Sequence, residues 1–204
     1  MTTEQQILKA ASELFLEKGF AATSTTDIAH RAGCNQALVH YYYRTKENLF
    51  RQIFVRNVEN ILNVLDQPAP EGLDIDGMIT YYINLYFDQL CTAPRTPFLI
   101  FNELIVNQQR REFVRETFMK NVRRQLMYYT LDQALQQAIR DGKIAPIETL
   151  DLLLNVASLT VTSFLIAPIY ADLLQRDETA QREFIEQRRQ ETIKTILARI
   201  SVKK

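Results

Sequence analysis

An all-α fold follows from three observations. Glycine and proline are scarce, five and six in 204 residues, while Leu, Gln, Glu, Arg and Ile are abundant. Apolar residues recur at helical spacing along most of the chain, and no useful length alternates as a strand would. Capping and breaking residues fall between the periodic runs rather than inside them. The spacing predicts two domains: a small three-helix unit over residues 1–50 and a larger helical bundle over 51–204.

Thr3 opens the first helix, with Gln6 placed to complete a capping box. Ile7, Leu8, Ala11, Leu14 and Phe15 form its apolar stripe, and Gly19 ends it. Ser24 or Thr25 caps a short second helix, where Asp27 suits the positive N-terminal end. Ile28 and Ala29 turn inward, and Gly33 supplies the turn after Ala32. Asn35 caps a third helix that sends Leu38 and Val39 inward and leaves Gln36, Ala37, His40 and Tyr41 outward. Tyr43 is expected in the core, with Tyr42 between core and surface.

Thr45 caps a fourth helix carrying Leu49, Phe50, Ile53, Phe54, Val58, Ile61 and Leu65. It stops before Pro68-Ala69-Pro70-Glu71-Gly72, the clearest breaker in the chain. Beyond it the periodicity predicts helices over 76–90, 98–106, 110–140, 147–165 and 182–200. A break is expected at 93–97, and Pro168 with a short piece at 169–174 is expected to separate the last two helices. The fourth helix is thereby a mechanical link between the two domains.

Composition narrows function. Net charge is zero, with 24 basic and 24 acidic residues, which by itself does not point to nucleic acid. Residues 1–56 carry seven Lys or Arg against five acids, so local placement rather than overall charge must carry any nucleic-acid argument. Cys34 and Cys91 form no metal-binding spacing and are expected as free thiols in a reducing cytoplasm. The first residues have no secretory pattern, so a cytoplasmic location is expected. Leu152 to Ile169 is free of charge at nearly membrane-spanning length. Its Asn, Ser, Thr and Pro residues and acidic flanks favour a protein-buried helix, and no membrane association is expected. No cofactor, metal site or catalytic residue is expected: G-x-S-x-G, P-loop and H-E-x-x-H motifs are absent, and the two histidines lie inside the first domain.

Two short helices joined by a glycine-containing turn make a helix-turn-helix, whose second helix fits a DNA major groove. The ordered set around it resembles the tetracycline-repressor (TetR) family. It comprises Gly19-Phe20, the T-x-x-I-A step at Thr25 to Ala29, Ala32-Gly33, the tyrosine cluster, and Thr45-Lys46-Glu47-x-Leu49-Phe50. The likeness covers about the first fifty residues. Two departures are visible: His40-Tyr41-Tyr42-Tyr43 stands where the family usually has Tyr-Tyr-His-Phe, and Gly33-Cys34-Asn35 where its turn commonly reads Gly-Val-Ser.

The reader's chemistry assigns roles to seven residues. Thr25 and the second helix's N-terminus face one phosphate strand; Tyr41 and Lys46 supply a hydroxyl and a cation for phosphate. Asn35 caps the recognition helix, Gln36 pairs with an adenine edge, Ala37 allows close approach or meets a thymine methyl, and His40 meets base or phosphate. So small a reader needs two copies, hence a homodimer on a palindromic double-stranded operator. Leu153, Val156, Thr160, Phe164, Ile193, Ile196, Leu197 and Ile200 are the expected dimer face on the last two helices. The resemblance also implies a small-molecule effector pocket in the middle helices. Its expected lining is Tyr82, Tyr86, Phe101, Glu103, Gln125, Tyr128 and Asn155. These expectations combine into a ligand-responsive transcriptional regulator, a repressor by default. The competing class is a helical adaptor without sequence-specific DNA binding.

Overall fold

The computed structural model describes residues 1–202 apart from 66, 101–109, 114, 118–125 and 174–177, and apart also from the side chains of 62, 64, 65, 126, 171 and 178. Its described elements are helical, with one isolated antiparallel bridge between Ile144 and Ser201. The helices are α1 (Thr3–Lys18), α2 (Thr25–Ala32), α3 (Gln36–Tyr43), α4 (Lys46–Leu65), α5 (Ile75–Thr92), α6 (Leu126–Arg140), α7 (Thr149–Leu173) and α8 (Glu178–Ile200). Residues 96–100, 110–113 and 115–117 are also helical. The all-α expectation holds.

The chain forms two compact units. The first comprises Met1–Asn60 with Phe98–Phe118, the second Ile61–Pro97 with Met119–Lys204. In the first, α1, α2 and α3 pack mutually around Ile7, Leu14, Phe15, Ile28 and Val39. Phe15, Phe20 and Phe50 form an aromatic triangle with centroids 5.1–5.7 Å apart. Edge-to-face rings at such separations add about 0.5–1.5 kcal/mol per pair to their area burial. In the second unit α7 packs along α8, and α5 contacts both, around Ile83, Phe87, Leu90, Phe164 and Ile196.

Several boundaries differ from expectation. Thr2, not Thr3, caps α1, and its capping-box partner is Gln5 rather than Gln6. The S/T-x-x-Q pattern fits both registers, and the earlier one adds a residue to the helix. Pro168 does not separate two helices: α7 runs through it from Thr149 to Leu173. Proline costs a helix one hydrogen bond and a steric clash. Here Phe164 and Ala167, both buried, anchor the helix just before the proline, and packing outweighs the local cost. The predicted long helix over 110–140 is helical at 110–113, 115–117 and 126–140, with the remainder outside the described residues.

α7 is also less covered than expected. Thr149–Tyr170 is the one described stretch long and apolar enough to cross a membrane, and only 33% of its most apolar window is buried. Leu152, Thr160, Ser163, Phe164 and Ala167 face inward, while Leu150, Leu154, Ile166, Ile169 and Leu173 are exposed on the other side. The anticipated burial within the chain is therefore partial. Half of the expected dimer face already has another occupation: Thr160, Phe164, Ile196 and Ile200 are buried in the unit's own core. Helical period sorts residues onto faces but does not say which of two apolar faces meets the same chain. Leu153, Val156, Ile193 and Leu197 remain partly exposed.

Candidate nucleic-acid interface

Local chemistry sets α2 and α3 at the surface of the first unit. Ser24 caps α2 by accepting from the Asp27 N–H at 3.0 Å, and Asp27 Oδ2 accepts from the Ser24 N–H at 2.9 Å. Lys18 reaches the same carboxylate oxygen at 2.9 Å, tying α1 to the start of α2. The Lys18 ammonium, followed by the Ser24 donors, holds the Asp27 carboxyl well below its usual range. That stabilisation is present above the ordinary carboxylate range and is lost as pH falls toward the depressed value. Arg31 pairs bidentately with Glu17 at 2.8 and 3.0 Å, adding a second α1–α2 tie at the surface.

Gly33 closes α2 at φ 67°, ψ 33°, a left-handed conformation that glycine takes without a Cβ penalty, and its N–H reaches His30 O at 3.2 Å. Asn35 Oδ1 then accepts from the Leu38 N–H at 3.0 Å and starts α3. Asn35 is thus confirmed as the cap. Val39 and Tyr43 anchor α3 inward, and the Tyr43 hydroxyl donates to Glu4 O at 3.1 Å. The outward residues are Gln36, Ala37, His40 and Tyr41, as the period predicts, with Tyr41 77% exposed. Tyr42 is 38% exposed and meets Tyr41 edge-on at 5.2 Å. His40 Nδ1 lies 3.2 Å from Arg44 O, a carbonyl that can only accept, which makes this nitrogen the donor of the pair. Gln36 Nε2 donates to Thr25 Oγ1 at 2.8 Å, joining the outward side chains of the two helices.

The link to α4 is a tight reversal. Arg44 takes φ 63°, ψ −53°, and the Thr45 N–H donates to Tyr43 O at 2.7 Å, the three-residue geometry of a γ-turn. Thr45 Oγ1 accepts from the Asn48 N–H at 3.1 Å and caps α4 as expected.

Lys46 requires a correction. Its ammonium donates to Phe20 O at 2.9 Å and Thr23 O at 2.7 Å, and sits 4.1 Å from the Phe20 ring centroid. Burial, with the Arg110 charge adding to it, pushes its pKa below the ordinary lysine value. The cation expected at phosphate instead stitches α4 to the turn before α2. The same cluster holds a residue that sequence reasoning did not single out. The Arg110 guanidinium lies 3.7 Å from the Phe20 centroid and 5.0 Å from that of Phe50, and pairs with Glu47 at 3.3 Å. Phe113 packs on Phe54 at 5.8 Å beneath Arg51. No local pattern pairs residue 110 with residue 20; only the fold does.

The expected effector residues separate. Tyr82 is buried, its hydroxyl donating to Gln67 O at 3.3 Å. Burial pushes the Tyr86 phenol up to about 12. Tyr128 is half-buried, edge-on to Tyr129 at 5.8 Å. Asn155 is corrected: it is exposed on α7, and the helical period places it on the same stripe as the exposed Ile166 and Leu173. Phe101, Glu103 and Gln125 lie outside the described residues. A surface groove of about 680 Å³ between residues 139–146 and 198–202 includes Ile139, Pro146 and Arg199, and none of the expected effector residues.

Residues 7–53 match the family model for bacterial regulatory proteins, tetR family. The helix-turn-helix stretch is thus a TetR-type N-terminal domain. The family's members are regulatory proteins rather than enzymes, in keeping with the missing catalytic motifs. Among curated proteins the chain is 27% identical over 151 residues to YfiR of Bacillus subtilis, an uncharacterised helix-turn-helix transcriptional regulator. That alignment covers 72% of this chain and 70% of YfiR. It is 39% identical over 67 residues to a helix-turn-helix transcriptional repressor of Mycobacterium tuberculosis, covering 33% of this chain and 36% of the repressor. Among solved structures it is similar to HlyIIR, a hemolysin II transcriptional regulator, at TM-score 0.61 and 21% identity over 98% of both chains. This likeness to HlyIIR is one of fold alone.

Proposed function

We propose that this chain is a ligand-responsive transcriptional repressor. It binds a palindromic duplex operator as a homodimer and leaves it when a small molecule binds the second unit. The cytoplasm, where the DNA lies, is its place of work. The observation that carries the reading is the outward face of α3: Gln36, Ala37, His40 and Tyr41 stand side by side beside the start of α2. Gln36 and His40 supply base-edge chemistry, Ala37 permits close approach, and Thr25 and Tyr41 supply hydroxyls for phosphate. The named repressor among the relatives supports the sign of regulation.

Two copies are needed because one three-helix reader buries too little surface to select a site in a genome. The exposed apolar side of α7 supports a second copy: Leu150, Leu154, Ile166, Ile169 and Leu173 form a surface that water covers at a cost. This replaces the expected face built on Thr160, Phe164, Ile196 and Ile200. Tyr82, Tyr86 and Tyr128 remain the described candidates for effector contact. Enrichment of bound fragments from a random duplex library tests the reading. A palindrome with half-sites about one helical turn apart supports it, and no enrichment at any ionic strength overturns it.

A further inference from the structure

Thr25 and Gln36 lie on different helices, and the function proposed above assigns them different parts of a duplex, one the phosphate and the other a base edge. Yet Gln36 Nε2 donates to Thr25 Oγ1 at 2.8 Å across the turn closed by Gly33. The Ser24 hydroxyl, not that of Thr25, accepts from the Asp27 N–H and caps α2. The Thr25 hydroxyl is therefore available for two partners at once, and it has only one hydrogen.

A phosphate oxygen only accepts. When Thr25 gives its hydrogen to phosphate, its oxygen can only accept from Gln36, so the amide must present its NH2 end to Thr25. This bond decides which end of the carboxamide is which. The second N–H and Oε1 then form a fork of one donor and one acceptor. Adenine offers N7 as acceptor and N6–H as donor, and matches the fork. Guanine offers N7 and O6, two acceptors, and sets Oε1 against O6. An unanchored amide turns over and donates to guanine instead.

We infer that Thr25 is a positioning residue for base recognition: it fixes the Gln36 amide so that the half-site demands adenine rather than guanine at the base that Gln36 meets. The inference rests on the DNA-reading function proposed above. It differs from simple phosphate anchoring, which affects all sequences alike.

The test combines random-duplex enrichment by the full chain with competition titrations, for the unaltered protein and for Thr25→Val, Thr25→Ser and Gln36→Ala. Gln36→Ala locates the base by abolishing preference there. The unaltered protein and Thr25→Ser, which keeps the hydroxyl, should favour adenine over guanine at that base by roughly ten- to a hundredfold. Thr25→Val should reduce the ratio to a few-fold, beyond any loss common to both duplexes. Circular dichroism verifies that the variants are folded, and Thr25→Ala takes the place of Thr25→Val if valine disturbs α2. An unchanged ratio in the folded variant lacking the hydroxyl overturns the inference, as does a preference for guanine or a pyrimidine at the Gln36-dependent base. Failure of the unaltered protein to enrich any sequence defeats the DNA-reading proposal itself, and is distinguished by appearing before any substitution is made.

Discussion

The two compact units expose different kinds of apolar side chain. Among the described residues of the first, apart from Met1 and Phe98, the exposed large ones are Tyr41 and Tyr42, rings that end in a hydroxyl. In the second they are mostly bare aliphatics: Leu150, Leu154, Ile166, Ile169 and Leu173 along a single helix. A tyrosine at a surface serves a polar, wet partner as well as an apolar one. A row of leucines and isoleucines gains only from another apolar surface. The first unit thus has the surface chemistry for the duplex proposed above, and the second has it for the proposed second copy.

Placing charge on that aliphatic row gives the largest expected effect. The double substitution Leu154→Glu and Ile169→Glu removes four apolar side chains per dimer from the proposed interface. It should weaken dimerisation by at least about 4 kcal/mol, a thousandfold, with helicity retained. Sedimentation across a concentration series reads the result, and an unaltered association state would place the second copy elsewhere.

The first unit should instead prove sensitive where cations meet rings. Arg110→Met keeps bulk but removes the guanidinium from Phe20, Phe50 and Glu47. A loss of about 2–3 kcal/mol in denaturant unfolding is expected, moderated because Glu47 keeps Arg51 at 3.1 Å. Lys46→Met should cost about 1–2 kcal/mol by leaving Phe20 O and Thr23 O without the ammonium. Its effect on operator binding should follow the turn it holds, so the salt dependence of binding should stay nearly unchanged. A slope lower by about one per subunit would restore Lys46 as a phosphate contact.

The smallest effect concerns Tyr86. Its raised pKa means that the folded state holds the phenolic proton to higher pH than the unfolded chain does. The contribution is therefore intact below about pH 10 and lost as pH climbs toward about 12. Between pH 9 and 11 the loss should be about 1 kcal/mol, and Tyr86→Phe should flatten that part of the stability curve.

The same contrast explains what could be read in advance. In the first unit Ser24, Gly33, Asn35 and Thr45 act within four residues of themselves, through capping and turn chemistry that local sequence displays. Lys46 and Arg110 escape such reading because their partners stand 23 to 90 residues upstream, and Lys46 meets backbone carbonyls that any residue could supply. In the second unit Pro168 predicts a break that long-range packing overrides. Thr160 and Phe164 suggest a partner's surface because an apolar helix with two useful faces carries no mark saying which one is internal. The expected effector lining is opaque for a related reason: aromatic side chains fill cores and line cavities with the same spacing.

Arg110 and Phe113 also bear on engineering. The family model ends at residue 53, and exchanging such a reader between scaffolds would naturally cut the polypeptide near there. A graft made that way would strip Phe20 and Phe50 of their distant cover and leave a sticky, half-roofed module. A transplant that carries residues 98–118 along, or paints those rings with new polar neighbours, stands the better chance of travelling as a self-sufficient part.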